Sequence, residues 1–143
     1  MDTRGLDHVV VVVRDIDAAR LSYEKVFGES AVGPVLEAQA YRRCVVDLGG
    51  HRMELCQPLP AEDPAESQAS NAFTHTLESR GEGLHSIAVR VPDVRAAAAE
   101  LKAGDVPVVA SSFSKSFFVH PRALSGLIVQ FLEADRPTGR VQA

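Results

Sequence analysis

Leu6-Asp7-His8-Val9-Val10-Val11-Val12-Val13-Arg14-Asp15 and Leu84-His85-Ser86-Ile87-Ala88-Val89-Arg90-Val91-Pro92-Asp93 read as one sentence written twice. The same distance separates Leu6 from Leu84, His8 from Ser86 and Asp15 from Asp93. Valines at this density favour a strand, and apolar side chains on both of its faces predict a strand covered on both sides. Each run has polar residues near its entrance, Asp7-His8 and His85-Ser86, and ends on an aspartate suited to cap a following helix.

Working outward, Asp15 to Gly28 reads as a helix with Asp15 as N-cap and Gly28 closing it. Ile16, Ala19, Tyr23, Val26 and Phe27 fall on one face at helical spacing, and that face is expected to lie on the sheet. A short, weakly signalled strand is expected within Ser30 to Leu36, followed by a firmer one from Tyr41 to Leu48. Gly49-Gly50 is a two-residue hairpin signal, and His51 to Gln57 returns. With that loop Leu48 faces His51, Asp47 faces Arg52, Val45 faces Glu54 and Arg43 faces Cys56. The opposite charges of Asp47 and Arg52 support this register, and Arg43 becomes a diagonal neighbour of Glu54. Cys44 and Cys56 fall on opposite faces, which argues against a disulfide.

The second copy repeats the order. Asp93 opens a helix from Val94 to Ala103 and Gly104 closes it. Strands are expected at Val106 to Ala110, Lys115 to His120 and Leu127 to Leu132. Between the copies lies a stretch rich in Ala, Glu, Ser and Pro, with a short helix around Ala69 to Glu78. The fold class is therefore α+β: two tandem βαβββ modules forming a cupped mixed sheet with helices on its outer face. The chain reads as a single domain over 1–143, with module one about 5–58, a linker about 59–82, module two about 83–133 and a frayed tail 134–143.

Composition narrows the function classes. A chain of 143 residues with a formal charge of −4 carries no electrostatic footprint for nucleic acid or an anionic membrane. No apolar run approaches a membrane span, and no secretory signal precedes the first strand. Two cysteines without metal-site spacing do not make a disulfide scaffold. These features predict a cytoplasmic protein, and the excess of arginine over lysine suggests a GC-rich bacterial genome.

Strand alternation sorts the side chains by face. His8, Val10 and Val12 share one face of the first strand, and Ser86, Ala88 and Arg90 take the equivalent places in its repeat. Arg52, Glu54 and Cys56 share a face, with Met53 and Leu55 on the other. Gln130 stands with Ile128 and Leu132. His8, Glu54, Ser86 and Gln130 thus lie on the inner face of four strands, where a polar group costs a few kcal/mol unless it is paired.

Those residues carry a resemblance. Leu6-Asp7-His8-Val9, Met53-Glu54-Leu55, Glu66-Ser67, Gly83-Leu84-His85, His120-Pro121 and Gly126-Leu127-Ile128-Val129-Gln130 resemble the vicinal oxygen chelate superfamily. Within it, the chain is most similar to the methylmalonyl-CoA epimerase-like branch. The resemblance implies metal ligands at His8, Glu54 and Gln130, with His85 as a further candidate. It also implies a divalent metal such as Zn, Co, Ni or Mn. Ser86 stands where the family has a histidine and Gln130 where it has a glutamate, so the metal is expected to be weakly bound or absent. Glu54 is the candidate catalytic group; Arg43, Ser86, His120 and Gln130 are candidate ligand-binding groups. The implied function is proton transfer beside a thioester or keto group, on an acyl-CoA or a 2-oxo acid, by a homodimer. The alternative is a metal-free binding protein of the antibiotic-sequestering kind. Ser86 and Gln130 favour that alternative, and the whole-chain likeness favours the enzyme.

Overall fold

A computed structural model describes residues 1–38, 40–60, 68–113 and 115–135. Its eight strands and three helices make an α+β fold in the order β1 (Leu6–Val12), α1 (Ile16–Phe27), β2 (Leu36–Ala38), β3 (Tyr41–Leu48), β4 (His51–Pro58), α2 (Gln68–Arg80), β5 (Gly83–Val91), α3 (Val94–Ala103), β6 (Val108–Ala110), β7 (Ser116–Val119) and β8 (Ile128–Glu133). The expected βαβββ order is present twice, with α2 between. The Glu66-Ser67 run and all of the expected frayed tail beyond Asp135 lie outside the described residues.

The chain divides into two compact units, Val9–His85 and Met1–His8 with Ser86 onward. In the first, the strands bond in the order β2-β3-β4-β1. β1 runs parallel to β4 with Val10 opposite Glu54, and β2, β3 and β4 are antiparallel. In the second, the order is β6-β7-β8-β5, with β5 parallel to β8 and Ala88 opposite Gln130. The two units therefore have the same topology. The hairpin register is the expected one: Leu48 pairs with His51, Asp47 with Arg52, Val45 with Glu54 and Arg43 with Cys56. Both turn glycines have positive φ (69° and 92°), which a two-residue hairpin needs and a side chain disfavours. Asp47 also accepts the Gly50 N–H at 2.9 Å, bracing the turn.

Helices α1 and α3 are each capped by the aspartate that follows the preceding strand. Asp15 accepts from the Ala18 N–H, and Asp93 from those of Arg95 and Ala96, which satisfies donors with no intrahelical partner. Ile16, Ala19 and Tyr23 of α1 pack against Val11, Val13, Cys44, Val46, Met53 and Leu55. Val94, Ala97 and Leu101 of α3 cover Ile87, Val89, Phe117, Val129 and Phe131, the last stacked on Phe117 at 5.1 Å. These side chains fix which strand face is left for Glu54 in one unit and Gln130 in the other.

Three expectations need correction. Val26 and Phe27 are 73% and 43% exposed. Val26 sits roughly 80° around the helix from Ile16 at 100° per residue, and Phe27 lies in the last turn, its ring 6.0 Å from that of Tyr23. The expected strand within Ser30 to Leu36 is mostly absent. A 3₁₀ turn at Glu29–Ala31 and a lone bridge from Val32 to Val46 precede a β2 of three residues. Pro34 has no N–H to give a ladder, and Gly33 is pressed to the β3 backbone, where a Cβ would meet the Val45 carbonyl oxygen at 3.2 Å. Finally, β6 and β7 are shorter than read, and Pro107 precedes the first residue of β6.

Candidate functional site

In the unit Val9–His85 the candidate residues gather on the face of β3 and β4 turned away from α1. Glu54 is buried, opposite Val10. Arg43 Nη1 lies 3.6 Å from its Oε1, the diagonal neighbour expected from the hairpin. Tyr41, on the same face of β3, is hydrogen-bonded to Arg43, and burial above all pushes its phenol up to about 12. The charge of Glu54 adds to that shift, and Arg43 opposes it. Cys56 is almost fully enclosed, and burial followed by the charge of Glu54 pushes its thiol well up, so it is a neutral wall. Cys44 faces the α1 core, and both cysteines are free. The result is a buried carboxylate set among groups that are neutral or cationic, a composition suited to accepting a proton from a bound molecule.

Helix α2 closes one end of this group. Phe73 meets the rings of Tyr41 and His85 edge-on, at 5.4 Å and 5.0 Å. His85 points to α2: its Nδ1 lies 2.8 Å from Thr76 Oγ1. Burial, with a lesser contribution from Arg80, lowers its pKa to about 4. His85 is thus a neutral, packed imidazole at neutral pH.

The other unit holds the remaining candidates. His8 is half-buried, and its Nδ1 lies 2.7 Å from Asp7 Oδ2. Arg90 Nε donates to the other oxygen of Asp7 at 2.8 Å. Ser86 is buried at the place equivalent to His8. Gln130 is buried at the place equivalent to Glu54, and its Nε2 donates to Ser116 Oγ at 3.3 Å. That hydroxyl lies 2.8 Å from Ser111 Oγ and 3.0 Å from the Phe113 carbonyl. His120 stands apart: it is exposed, and its Nδ1 accepts the Arg122 N–H, capping a 3₁₀ turn. His51 and His75 are exposed.

Among the described residues, no three His, Cys, Asp or Glu side chains gather as a cation site would require. Of the candidate ligands, His85 is held by Thr76, and Gln130 donates Nε2 to Ser116, which leaves its Oε1 as the atom that could meet a cation. The divalent metal that the resemblance implies is thus not matched by a cluster of these ligand types among the described residues.

Sequence reasoning missed three partnerships. Asp7 with Arg90, Thr76 with His85 and Ser116 with Gln130 each join residues from different elements. Only Asp7 carried a signal, as an acid placed inside a strand of valines.

Comparison with known proteins agrees with this architecture. The mitochondrial methylmalonyl-CoA epimerase of Bos taurus is 26% identical over 136 residues, covering 90% of this chain and 74% of that protein. Its Mus musculus counterpart is 28% identical over 138 residues, covering 90% and 72%. A solved methylmalonyl-CoA epimerase from Mycobacterium tuberculosis superposes with a TM-score of 0.73 at 24% identity, over 92% of this chain and 88% of that one. A methylmalonyl-CoA epimerase in complex with methylmalonyl-CoA and NH4+ superposes with a TM-score of 0.75 at 22% identity, over 94% and 97%. The profile of the glyoxalase/bleomycin resistance protein/dioxygenase superfamily matches residues 7–119, and the chain belongs to that superfamily.

Proposed function

We propose that this protein transfers a proton at the carbon beside a thioester or keto group, as an epimerase or isomerase of small acyl compounds, with Glu54 as the catalytic base. One observation carries the reading: Glu54 is a carboxylate buried on a strand face, beside an arginine and a phenol. In the step proposed, the α C–H bond breaks and its proton passes to the Glu54 carboxylate. The electron pair moves onto the carbonyl oxygen as an enolate, and Glu54, serving both faces, returns a proton to the opposite face of the enolate, so that the C–H bond re-forms with inverted configuration. Arg43 offsets the charge of Glu54 and can hold a substrate carboxylate through two parallel hydrogen bonds. An acyl-CoA substrate and a homodimeric assembly belong to the same reading. The first draws support from the likeness to methylmalonyl-CoA epimerases over 90% or more of this chain. No helix among the described residues is long and apolar enough to cross a membrane, which is consistent with the expected cytoplasmic setting.

The test is solvent deuterium incorporation at the α-carbon of methylmalonyl-CoA and of 2-oxo acids, followed by NMR. Exchange that is lost in Glu54→Gln supports the reading; no exchange by the wild type overturns it. Light scattering tests the dimer, and a monomer at micromolar concentration would remove it. A second reading, a binding protein without catalysis, is favoured by the neutral pair Ser86 and Gln130. Calorimetric binding of an acyl-CoA or an apolar antibiotic, with no exchange, would establish it instead.

A further inference from the structure

We infer that the Tyr41 hydroxyl donates its hydrogen to the carbonyl oxygen of the bound acyl compound, the oxygen on which charge builds when the α-proton leaves. This role rests on the proton-transfer reading above and adds to it the group that meets that oxygen.

The hairpin puts the phenol on the right face. Tyr41, Arg43 and Val45 alternate along one face of β3, opposite Pro58, Cys56 and Glu54 of β4. Tyr41 therefore shares its face with the proposed base, and it is only 8% exposed. Its ring is held from two sides. The Leu59 N–H donates to the Ala40 carbonyl at 2.9 Å, and Ser70 Oγ of α2 donates to the Leu59 carbonyl at 2.7 Å. One helical turn on from Ser70, Phe73 meets the Tyr41 ring edge-on at 5.4 Å. The strand end that carries the phenol and the helix that packs its ring are thus tied to one residue. A donor fixed in this way needs little reorganisation when charge appears beside it.

The direction of the hydrogen follows from its neighbour. A guanidinium can only donate, so in the bond between Arg43 and Tyr41 the phenol oxygen accepts. The phenol's own hydrogen is left over, and no side chain among the described residues is bonded to it. A bond accepted from a cation polarises the phenol and strengthens it as a donor. The nearby Glu54 carboxylate disfavours a second anion in the resting site. The acceptor that fits is an oxygen that is neutral at first and gains charge only as Glu54 loses its own. A carbonyl that becomes an enolate does this, since the charge leaves Glu54 as the α-proton arrives there. Tyr41 keeps its O–H bond throughout, and only the hydrogen bond strengthens. A neutral acid held protonated beside an oxyanion works by the same logic in other proton-transfer sites.

The experiment uses the full chain labelled with [ζ-¹³C]tyrosine. The sequence holds two tyrosines, so two signals are expected, and Tyr23→Phe, on α1, removes the other one and assigns that of Tyr41. An excess of methylmalonyl-CoA should move the Tyr41 signal downfield, towards the phenolate position, and leave that of Tyr23 in place. Tyr41→Phe should lower kcat for α-deuterium exchange by on the order of 10²-fold, the usual effect of losing one oxyanion donor, with KM within about twofold of the wild type. A Tyr41 signal unmoved by excess methylmalonyl-CoA overturns the inference even if no variant folds. So does a Tyr41→Phe protein that folds, by circular dichroism, and keeps the wild-type kcat. A wild type whose Tyr41 signal moves while no deuterium exchanges would overturn the proton-transfer reading and leave the contact between phenol and ligand standing, so the two failures are distinct.

Discussion

Glu54 and Gln130 sit in the same place in two copies of one fold. Each lies on the fourth strand of its module and pairs in parallel with the third alternating residue of the first strand, Val10 or Ala88. Each is buried. The surroundings differ: Glu54 has Arg43 and Tyr41 on the neighbouring strand, and Gln130 has Ser116 and Phe118. A buried carboxylate needs a nearby positive charge or several donors, whereas a buried amide needs only hydrogen bonds. The amide in the second module accompanies a β7 without a guanidinium, while Arg90 of the other neighbour, β5, is bonded to Asp7. The difference lies in the cross-strand pair: a carboxylate with a guanidinium in one module, an amide with a hydroxyl in the other.

The largest expected effect breaks the comparison at its acid. Glu54→Gln makes the two modules alike. It should lower any α-proton exchange by on the order of 10²- to 10⁴-fold, the usual contribution of a positioned base. Thermal unfolding by circular dichroism should move little, because the swap is nearly isosteric. Next comes Arg43→Leu, which leaves the carboxylate buried without its guanidinium and should cost about 3 kcal/mol of stability in urea unfolding. Gln130→Glu, the mirror change, puts a carboxylate where β7 offers no arginine and Arg90 of β5 is already bonded to Asp7. It should cost about 2 kcal/mol at neutral pH, with much of the loss recovered at pH 4, where the acid can be neutral. The smallest effect is Ser116→Ala, which removes one neutral hydrogen bond to Gln130 and should cost about 1 kcal/mol. If Arg43→Leu cost no more than Ser116→Ala, the contrast between a charged and a neutral pair would collapse.

A further prediction concerns His85, which stands one residue before the place equivalent to His8. Its pKa is lowered from 6.5 to about 4 because burial disfavours the charged ring. The unfolded chain therefore binds a proton at higher pH than the folded one. This stability is fully present above about pH 6.5 and is lost as pH falls from there to about 4, on the order of 3 kcal/mol in total. His85→Phe should flatten that part of the stability–pH curve, measured by urea unfolding at stepped pH. An unchanged slope would show that other groups produce it.

Much of this was legible in the sequence because the relevant signals are local. The duplicated strand, the two aspartate caps and the Gly49-Gly50 hairpin each depend on residues a few positions apart. From them came the βαβββ order, the register of β3 with β4, and the faces of Glu54 and Gln130. The misreadings have physical causes of the same kind. Val26 looked apolar and periodic, but lay at the margin of its helical stripe. Ser30 to Leu36 had strand-forming residues, but Pro34 cannot donate to a ladder. The partnerships of Asp7 with Arg90 and of Thr76 with His85 could not be read at all. Periodicity places a side chain on a face, and only the packed chain shows which long side chain reaches it from another element.

The short turn between β3 and β4 has a kinetic consequence. These strands pair through a loop of two residues, so the hairpin closes with little loss of chain entropy, on a timescale of roughly microseconds. The parallel pairing of β1 with β4 must instead close a loop that contains α1, β2 and β3. Glu54 and Arg43 are therefore brought together early, while both are still in water, and lose their hydration only when later elements cover them. We expect Arg43→Leu to raise the unfolding rate more than it lowers the folding rate. Stopped-flow chevrons of the two proteins would show whether the charge is buried after the rate-limiting step.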